Sequence, residues 1–200
     1  MRMRSGGIAV IALGLAVLPG LANAQKTATA IFAGGCFWTT EYQLEKMPGV
    51  IRAESGFTGG TKRNPTYKEV VAGGTGHLES VRVTYDPSKT SYRQLVDQFW
   101  RTIDPTDQRG QICDFGSSYR TAVFYSNEAE REAALASKAA IDTGSRKGRI
   151  ATELRAAQAF YPAGQEHQNF ARLNPAQYKE YARVCNREPV LARVWADAPR

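Results

Sequence analysis

The chain has 200 residues, of which 42% are hydrophobic and 10% aromatic, enough for a packed core and too many for a disordered segment. Its net charge is +7, but the basic residues are scattered; only Arg146-Lys147-Gly148-Arg149 clusters, and it reads as a solvated loop. Nucleic acid is therefore not an expected partner.

The first 24 residues read as a secretory signal peptide. Arg2 and Arg4 form a basic head, Ile8–Leu18 is a short apolar run, Pro19-Gly20 breaks it, and Ala22-Asn23-Ala24 supplies the small residues of a cleavage site. Cleavage would start the mature chain at Gln25, with a net charge of +5 once Arg2 and Arg4 are gone. The expectation is one domain, residues 25–200, in an exported protein. A retained anchor is the alternative, although the run is short for a span of roughly 20 residues.

Thr27–Ala33 alternates and is rich in β-branched residues, so it reads as a strand, ended by Gly34-Gly35. Cys36 then opens a helical segment, Phe37 through Lys46, stopped by Pro48-Gly49. Val50–Phe57 is a second strand and Gly56–Pro65 a loop; Thr66–Val71 is one helical turn. In the strand His77–Tyr85, residues 79, 81, 83 and 85 share a face. Tyr92, Leu95, Val96, Phe99 and Ile103 fall on one side of an amphipathic helix. Asp104–Ser118 is a long polar loop that holds Cys113 and Asp114, a length that is often functional. Tyr119–Tyr125 is a strand. Asn127 caps the next helix, with Glu130 as its capping-box partner. Ile150–Phe160 is ambiguous. Pro175–Cys185 is a last helix, before an irregular tail. Strands and helices alternate over short connections, which predicts an α+β fold with a mixed sheet, α/β being the alternative.

Three cysteines, Cys36, Cys113 and Cys185, are an odd number without any CxxC pair, so structural zinc and haem attachment are not expected. In an exported chain one thiol would be left over to work. Cys36 follows two glycines at a helix start, where free N–H groups and the helix dipole favour a thiolate. A buried structural cysteine is the bland alternative. Glu79 shares its strand face with Val81, Val83 and Tyr85, and a carboxyl on an apolar face is pushed toward its neutral, proton-donating form. A strand end facing solvent is the competing reading. His77 and His167 are the only histidines; either could serve a Cys–His dyad, but nothing in the spacing favours one, and a structural role is the leading reading of each. A non-enzymatic binding domain with a Cys113–Cys185 bridge is a third reading.

Taken together the motifs resemble a known family. Gly35-Cys36-Phe37-Trp38 is similar to the GCFW signature of the A-type methionine sulfoxide reductases, the peptide-methionine (S)-S-oxide reductases. The resemblance continues in order through Gly56-Phe57-Thr58-Gly59-Gly60, Asn64-Pro65-Thr66-Tyr67, Gly76-His77-Leu78-Glu79, Tyr85-Asp86-Pro87, Phe99-Trp100, Asp104-Pro105-Thr106, Cys113-Asp114-Phe115-Gly116, Ser118-Tyr119-Arg120 and Glu166-His167-Gln168.

It implies a ferredoxin-like two-layer sandwich and assigns roles. Cys36 is the nucleophile toward the sulfoxide sulfur and Glu79 the acid toward its oxygen. Phe37 and Trp38 hold the S-methyl group. Tyr67, Asp114 and Tyr119 surround the oxygen. Cys36 would end as a sulfenic acid, which condenses with a resolving thiol. Cys185 is the favoured resolver, and Cys113 is the alternative or its disulfide partner. The context of Cys185, Tyr181 through Arg187, departs from the family's glycine-rich tail, and Thr39 and Ile103 depart elsewhere without touching an assigned role. The implied cofactor state is none bound, with an external thioredoxin-like or dithiol reductant. The implied substrates are free methionine sulfoxide and proteins that contain it. A periplasmic monomer that repairs exported proteins completes the expectation.

Overall fold

In the computed structural model, residues 26–198 are described; the expected signal peptide lies outside them. The chain order opens with β1 (Ala28–Gly34), α1 (Phe37–Leu44), β2 (Val50–Thr58), α2 (Tyr67–Ala72), β3 (Leu78–Tyr85) and α3 (Tyr92–Trp100). A short ribbon follows, β4 (Gly110–Gln111) and β5 (Asp114–Phe115), then β6 (Thr121–Tyr125), α4 (Glu128–Ile141), β7 (Glu153–Ala156) and β8 (Tyr161–Pro162). The chain ends in α5 (Phe170–Leu173), α6 (Pro175–Cys185) and α7 (Arg187–Val194).

Six strands form one mixed sheet in the order β7-β6-β1-β3-β2-β8. Its pairs are antiparallel except β6–β7, which run parallel. Together with the packed helices this is the α+β sandwich that the sequence predicts.

Strand parity sorts the core. Ala30 and Phe32 on β1, Ala53 and Phe57 on β2, Val81 and Val83 on β3 and Val123 on β6 face the helices. They pack against Phe37 and Leu44 of α1 and against Leu95, Phe99 and Trp100 of α3. The alternate residues Ala33, Leu78, Ala122 and Phe124 make a second, smaller cluster on the other face. Glu79 therefore lies on the helix-covered side, beneath the start of α1.

Caps set the helix starts. The Thr66 hydroxyl accepts the Glu69 N–H while the Glu69 carboxylate accepts the Thr66 N–H, so Tyr67 becomes the first residue of α2. Ser91 and Gln94 do the same for α3. Asn127 caps α4 through the Glu130 N–H at 2.9 Å, as expected, but the Glu130 carboxylate reaches Ser126 N–H rather than closing the box on Asn127.

Three expectations are corrected. The loop 104–118 is not bare: it contains the β4–β5 ribbon and a 3₁₀ turn at Ser117–Tyr119. The tail is not irregular, since α7 follows α6 across Asn186, whose φ of 47° is one that asparagine tolerates. Arg146 is not a solvated loop residue. It is 2% exposed, pairs with Asp197, donates to the Val194 carbonyl and lies 4.6 Å from the Trp195 ring centre. Local sequence gives no hint of this, because the Val194 and Asp197 partners lie 48 and 51 positions away.

Candidate active site

Cys36 sits where β1 ends and α1 begins. Gly35 before it has φ +87°, a left-handed value natural to glycine, and a Cβ there would come within 2.6 Å of the Gln111 side chain. Gln111 holds the loop that follows α3: its Oε1 accepts the Asp104 N–H at 2.8 Å and its Nε2 donates to the Asp104 carbonyl at 3.0 Å. The missing side chain at position 35 thus lets the segment that bears Cys113 and Asp114 close over the Cys36 turn. Ile112 adopts φ +61°, a strained value for a β-branched residue, immediately before Cys113.

Glu79 is opposite Phe57 in the β2–β3 register and is 1% exposed. One carboxyl oxygen accepts the Phe37 N–H at 3.0 Å. Burial pushes its pKa up to about 8, with the Phe37 bond pulling it down and the Asp114 charge adding to the rise. At neutral pH this position holds a carboxylic acid, as strand parity predicts.

The thiol behaves otherwise than the helix start suggests. Cys36 is free, and its pKa is raised rather than lowered. Burial dominates, and the charges of Glu79 and Asp114 add to it; the Trp38 N–H and the Tyr181 hydroxyl only partly offset them. The helix start offers less than its dipole suggests, because the Phe37 N–H is taken by Glu79 instead of the sulfur.

The aromatic residues gather around this pair. Phe37 lies 5.8 Å from Phe57 and 6.1 Å from Tyr67, ring centre to ring centre. Trp38 stacks on Phe170 at 3.6 Å, and its indole N–H donates to His167 Nδ1 at 3.3 Å. Burial raises the phenols of both Tyr67 and Tyr119. Their charges couple to Glu79 and Cys36. Asp114 is pushed up by burial and held back by the Tyr181 hydroxyl and the Arg187 charge. The residues proposed for catalysis and substrate binding, Cys36, Glu79, Phe37, Trp38, Tyr67, Asp114 and Tyr119, meet in one place.

Cys113 and Cys185 form a disulfide with their Cα atoms 5.2 Å apart. Tyr181 bridges it to the site: its hydroxyl donates to Asp114 at 2.7 Å and lies 4.0 Å from the Cys113 sulfur.

The sequence reading missed several members. His167 packs on Phe37, Trp38 and Tyr67, yet the Glu166-His167-Gln168 motif carried no assigned role. Gln168 fixes that segment to β2, with Oε1 accepting the Ser55 N–H at 3.0 Å and Nε2 donating to the Ser55 carbonyl at 2.9 Å. Glu41 of α1 accepts the Asn169 N–H at 2.8 Å, and burial pushes its carboxyl up to about 7. Tyr181 and Arg187 are the others; no motif marks either. Neither histidine is hydrogen-bonded to Cys36. His77 contacts the Gly60 N–H and the Lys62 carbonyl, and His167 spends Nδ1 on Trp38.

The profile of the peptide methionine sulfoxide reductase family matches residues 28–199. The chain belongs to this family. Similar proteins include peptide methionine sulfoxide reductase MsrA 2 of Caulobacter vibrioides, 45% identical over 94% of this chain and 97% of that one. Another is MsrA of Bacillus licheniformis, 43% identical over 86% of this chain and 96% of that one. Among solved structures, methionine sulfoxide reductase A of Corynebacterium diphtheriae superposes with a TM-score of 0.67 at 32% identity, covering 77% of each chain. Reduced Mxr1 of Saccharomyces cerevisiae does so with 0.71 at 28% identity, covering 76% of this chain and 88% of that one. The protein is thus a methionine sulfoxide reductase of the A type, and its reaction takes the oxygen from an oxidised thioether.

Proposed function

We propose that the reductase works through Cys36 and Glu79. The carrying observation is the buried, neutral Glu79 bonded to the N–H of the residue that follows Cys36. A sulfoxide oxygen leaves poorly until it is protonated. Glu79 gives its proton to that oxygen while the Cys36 sulfur attacks the sulfoxide sulfur, and the proton of the thiol restores Glu79. The hydroxyl then passes from the methionine sulfur to the Cys36 sulfur as the new S–S bond breaks and its electron pair returns to the methionine sulfur. Methionine leaves as the thioether, and Cys36 keeps the oxygen as a sulfenic acid. Phe37 and Trp38 hold the S-methyl group, and Tyr67, Tyr119 and Asp114 hydrogen-bond around the oxygen.

The sulfenic acid then condenses with one thiol, which releases water and forms a disulfide; a second thiol displaces Cys36 and closes Cys113–Cys185. Cys185 fits the first role. It rides on α6, of whose residues it alone is buried, whereas Cys113 sits in a loop held by the Asp107 carboxylate and the β4–β5 ribbon. Cys113→Ser is expected to accumulate a Cys36–Cys185 disulfide after one turnover, read by peptide mass mapping. A Cys36-linked bridge that excludes Cys185 would reverse the assignment.

Turnover needs a donor that reopens Cys113–Cys185, and a thioredoxin-like dithiol supplies that exchange. We further propose that residues 1–24 direct export and are cleaved, so that a periplasmic monomer repairs oxidised exported proteins with a membrane-fed donor. The basic head, apolar run and Ala22-Asn23-Ala24 support this. N-terminal sequencing of the secreted form should begin at Gln25. With dithiothreitol as donor, the S-epimer of methionine sulfoxide should yield methionine and the R-epimer none; no release from the S-epimer would refute the activity.

A further inference from the structure

Tyr181 belongs to none of the roles above, yet its side chain lies at the centre of the site. It stands four residues before Cys185 on α6, one helical turn away on the same face. Its hydroxyl donates to Asp114 at 2.7 Å, and the phenol is electrostatically coupled to Cys36. Its ring meets Trp38 edge-on at 6.2 Å. These are three of the groups that the proposed mechanism gives to the substrate. Cys36, although free, is only 7% exposed beneath it.

We propose that Tyr181 is a plug tied to the redox state: while Cys113–Cys185 is closed it fills the substrate site, and opening the disulfide lets it withdraw. The inference rests on the proposed roles of Cys36 and the Cys113–Cys185 pair.

The mechanical argument comes from α6. Its only buried residue is Cys185, so beyond the disulfide it is held by partly exposed side chains, among them Tyr181 on Asp114 and Trp38 and the ring of Tyr178 against Tyr42, and by its neighbour α5. An element held so lightly opens at low free energy once its cross-link is gone. Asn174 and Asn186 flank it, and Asn186 has a left-handed backbone. The segment beyond is anchored separately, by the Arg187 guanidinium on the Thr102 carbonyl at 2.6 Å and by the Trp195 indole on the Ile103 carbonyl at 3.1 Å. Cutting the disulfide therefore frees the one helix that carries the plug.

The chemical need is specific. After one catalytic cycle Cys36 is a thiol again while both resolving thiols are spent. A second sulfoxide would turn Cys36 into a sulfenic acid with no partner, open to irreversible oxidation. A plug prevents that second attack until a reductant arrives.

The test is a count. Fully reduced enzyme is freed of reductant, mixed with excess methionine-(S)-sulfoxide, and followed for ten times the duration of the first turnover. A plugged enzyme releases one methionine per chain and Tyr181→Ala releases two. Two from the wild type, or one from Tyr181→Ala, overturns the proposal; none from the wild type instead refutes the catalytic reading. Should Tyr181→Ala not fold, iodoacetamide labelling of Cys36 in the wild type decides. The proposal requires labelling at least tenfold slower with Cys113–Cys185 closed than reduced, and equal rates overturn it.

Discussion

Cys36→Ser should lose methionine formation by about 10³-fold or more while the chain stays folded. A hydroxyl is a far weaker nucleophile toward sulfur than a thiol, and removing the nucleophile of a concerted set costs most of the catalytic gain. The side chain at position 36 is small and buried at a helix start, and the Thr39 and Thr40 N–H bonds go to its backbone carbonyl, not to its sulfur. Circular dichroism of the variant should therefore match the wild type. Methionine release at a wild-type rate by the serine variant would move the nucleophile elsewhere.

Glu79→Gln separates proton donation from structure. Glutamine can still accept the Phe37 N–H, so the turn survives, but it holds no acidic proton. General acid catalysis contributes roughly 10² to 10⁴-fold, and a loss in that range is expected in the first turnover. The pH profile carries the signature. Wild-type first-turnover rate should fall as pH rises through about 8, where Glu79 loses its proton, and that limb should vanish in the variant. Wild-type stability should fall over the same range. The folded state raises the Glu79 pKa from 4.5 to about 8, so it binds this proton more tightly than the unfolded chain does. The stabilisation is complete below pH 4.5 and disappears as pH climbs through 8. Glu79→Gln should thus gain on the wild type toward alkaline pH, by on the order of 4 kcal/mol between pH 4.5 and pH 8, read from urea unfolding. Variant and wild type with superimposable pH profiles would deny Glu79 the proton.

Much of this site was legible in the residues. The alternation of β3 put Glu79 on the apolar face, and the two glycines before Cys36 marked a strand-to-helix turn. What failed was long-range. The thiol argument counted the helix dipole but not that Glu79 would capture the Phe37 N–H, nor how deeply the turn would be covered. Arg146 read as exposed because its neighbours in sequence are polar, while Trp195 and Asp197, its neighbours in space, were assigned to a tail without structure. Tyr181 was invisible for the same reason. Helical spacing shows that it shares a face with Cys185, but Asp114, the group that face meets, lies 67 positions away in the sequence. The segment at Glu166-His167-Gln168 matched the family in letters, and its role in fixing Trp38 needed the indole geometry.

The most direct measurement uses a chain with one thiol. Cys113→Ser combined with Cys185→Ser leaves Cys36 alone, with no partner for condensation. Exposed to excess methionine-(S)-sulfoxide without reductant, it should release one methionine per chain. Mass mapping should find the Cys36 peptide heavier by one oxygen and reactive with a sulfenic-acid trap. Methionine released while Cys36 stays unmodified, or an oxygen carried on any other residue, would contradict the account.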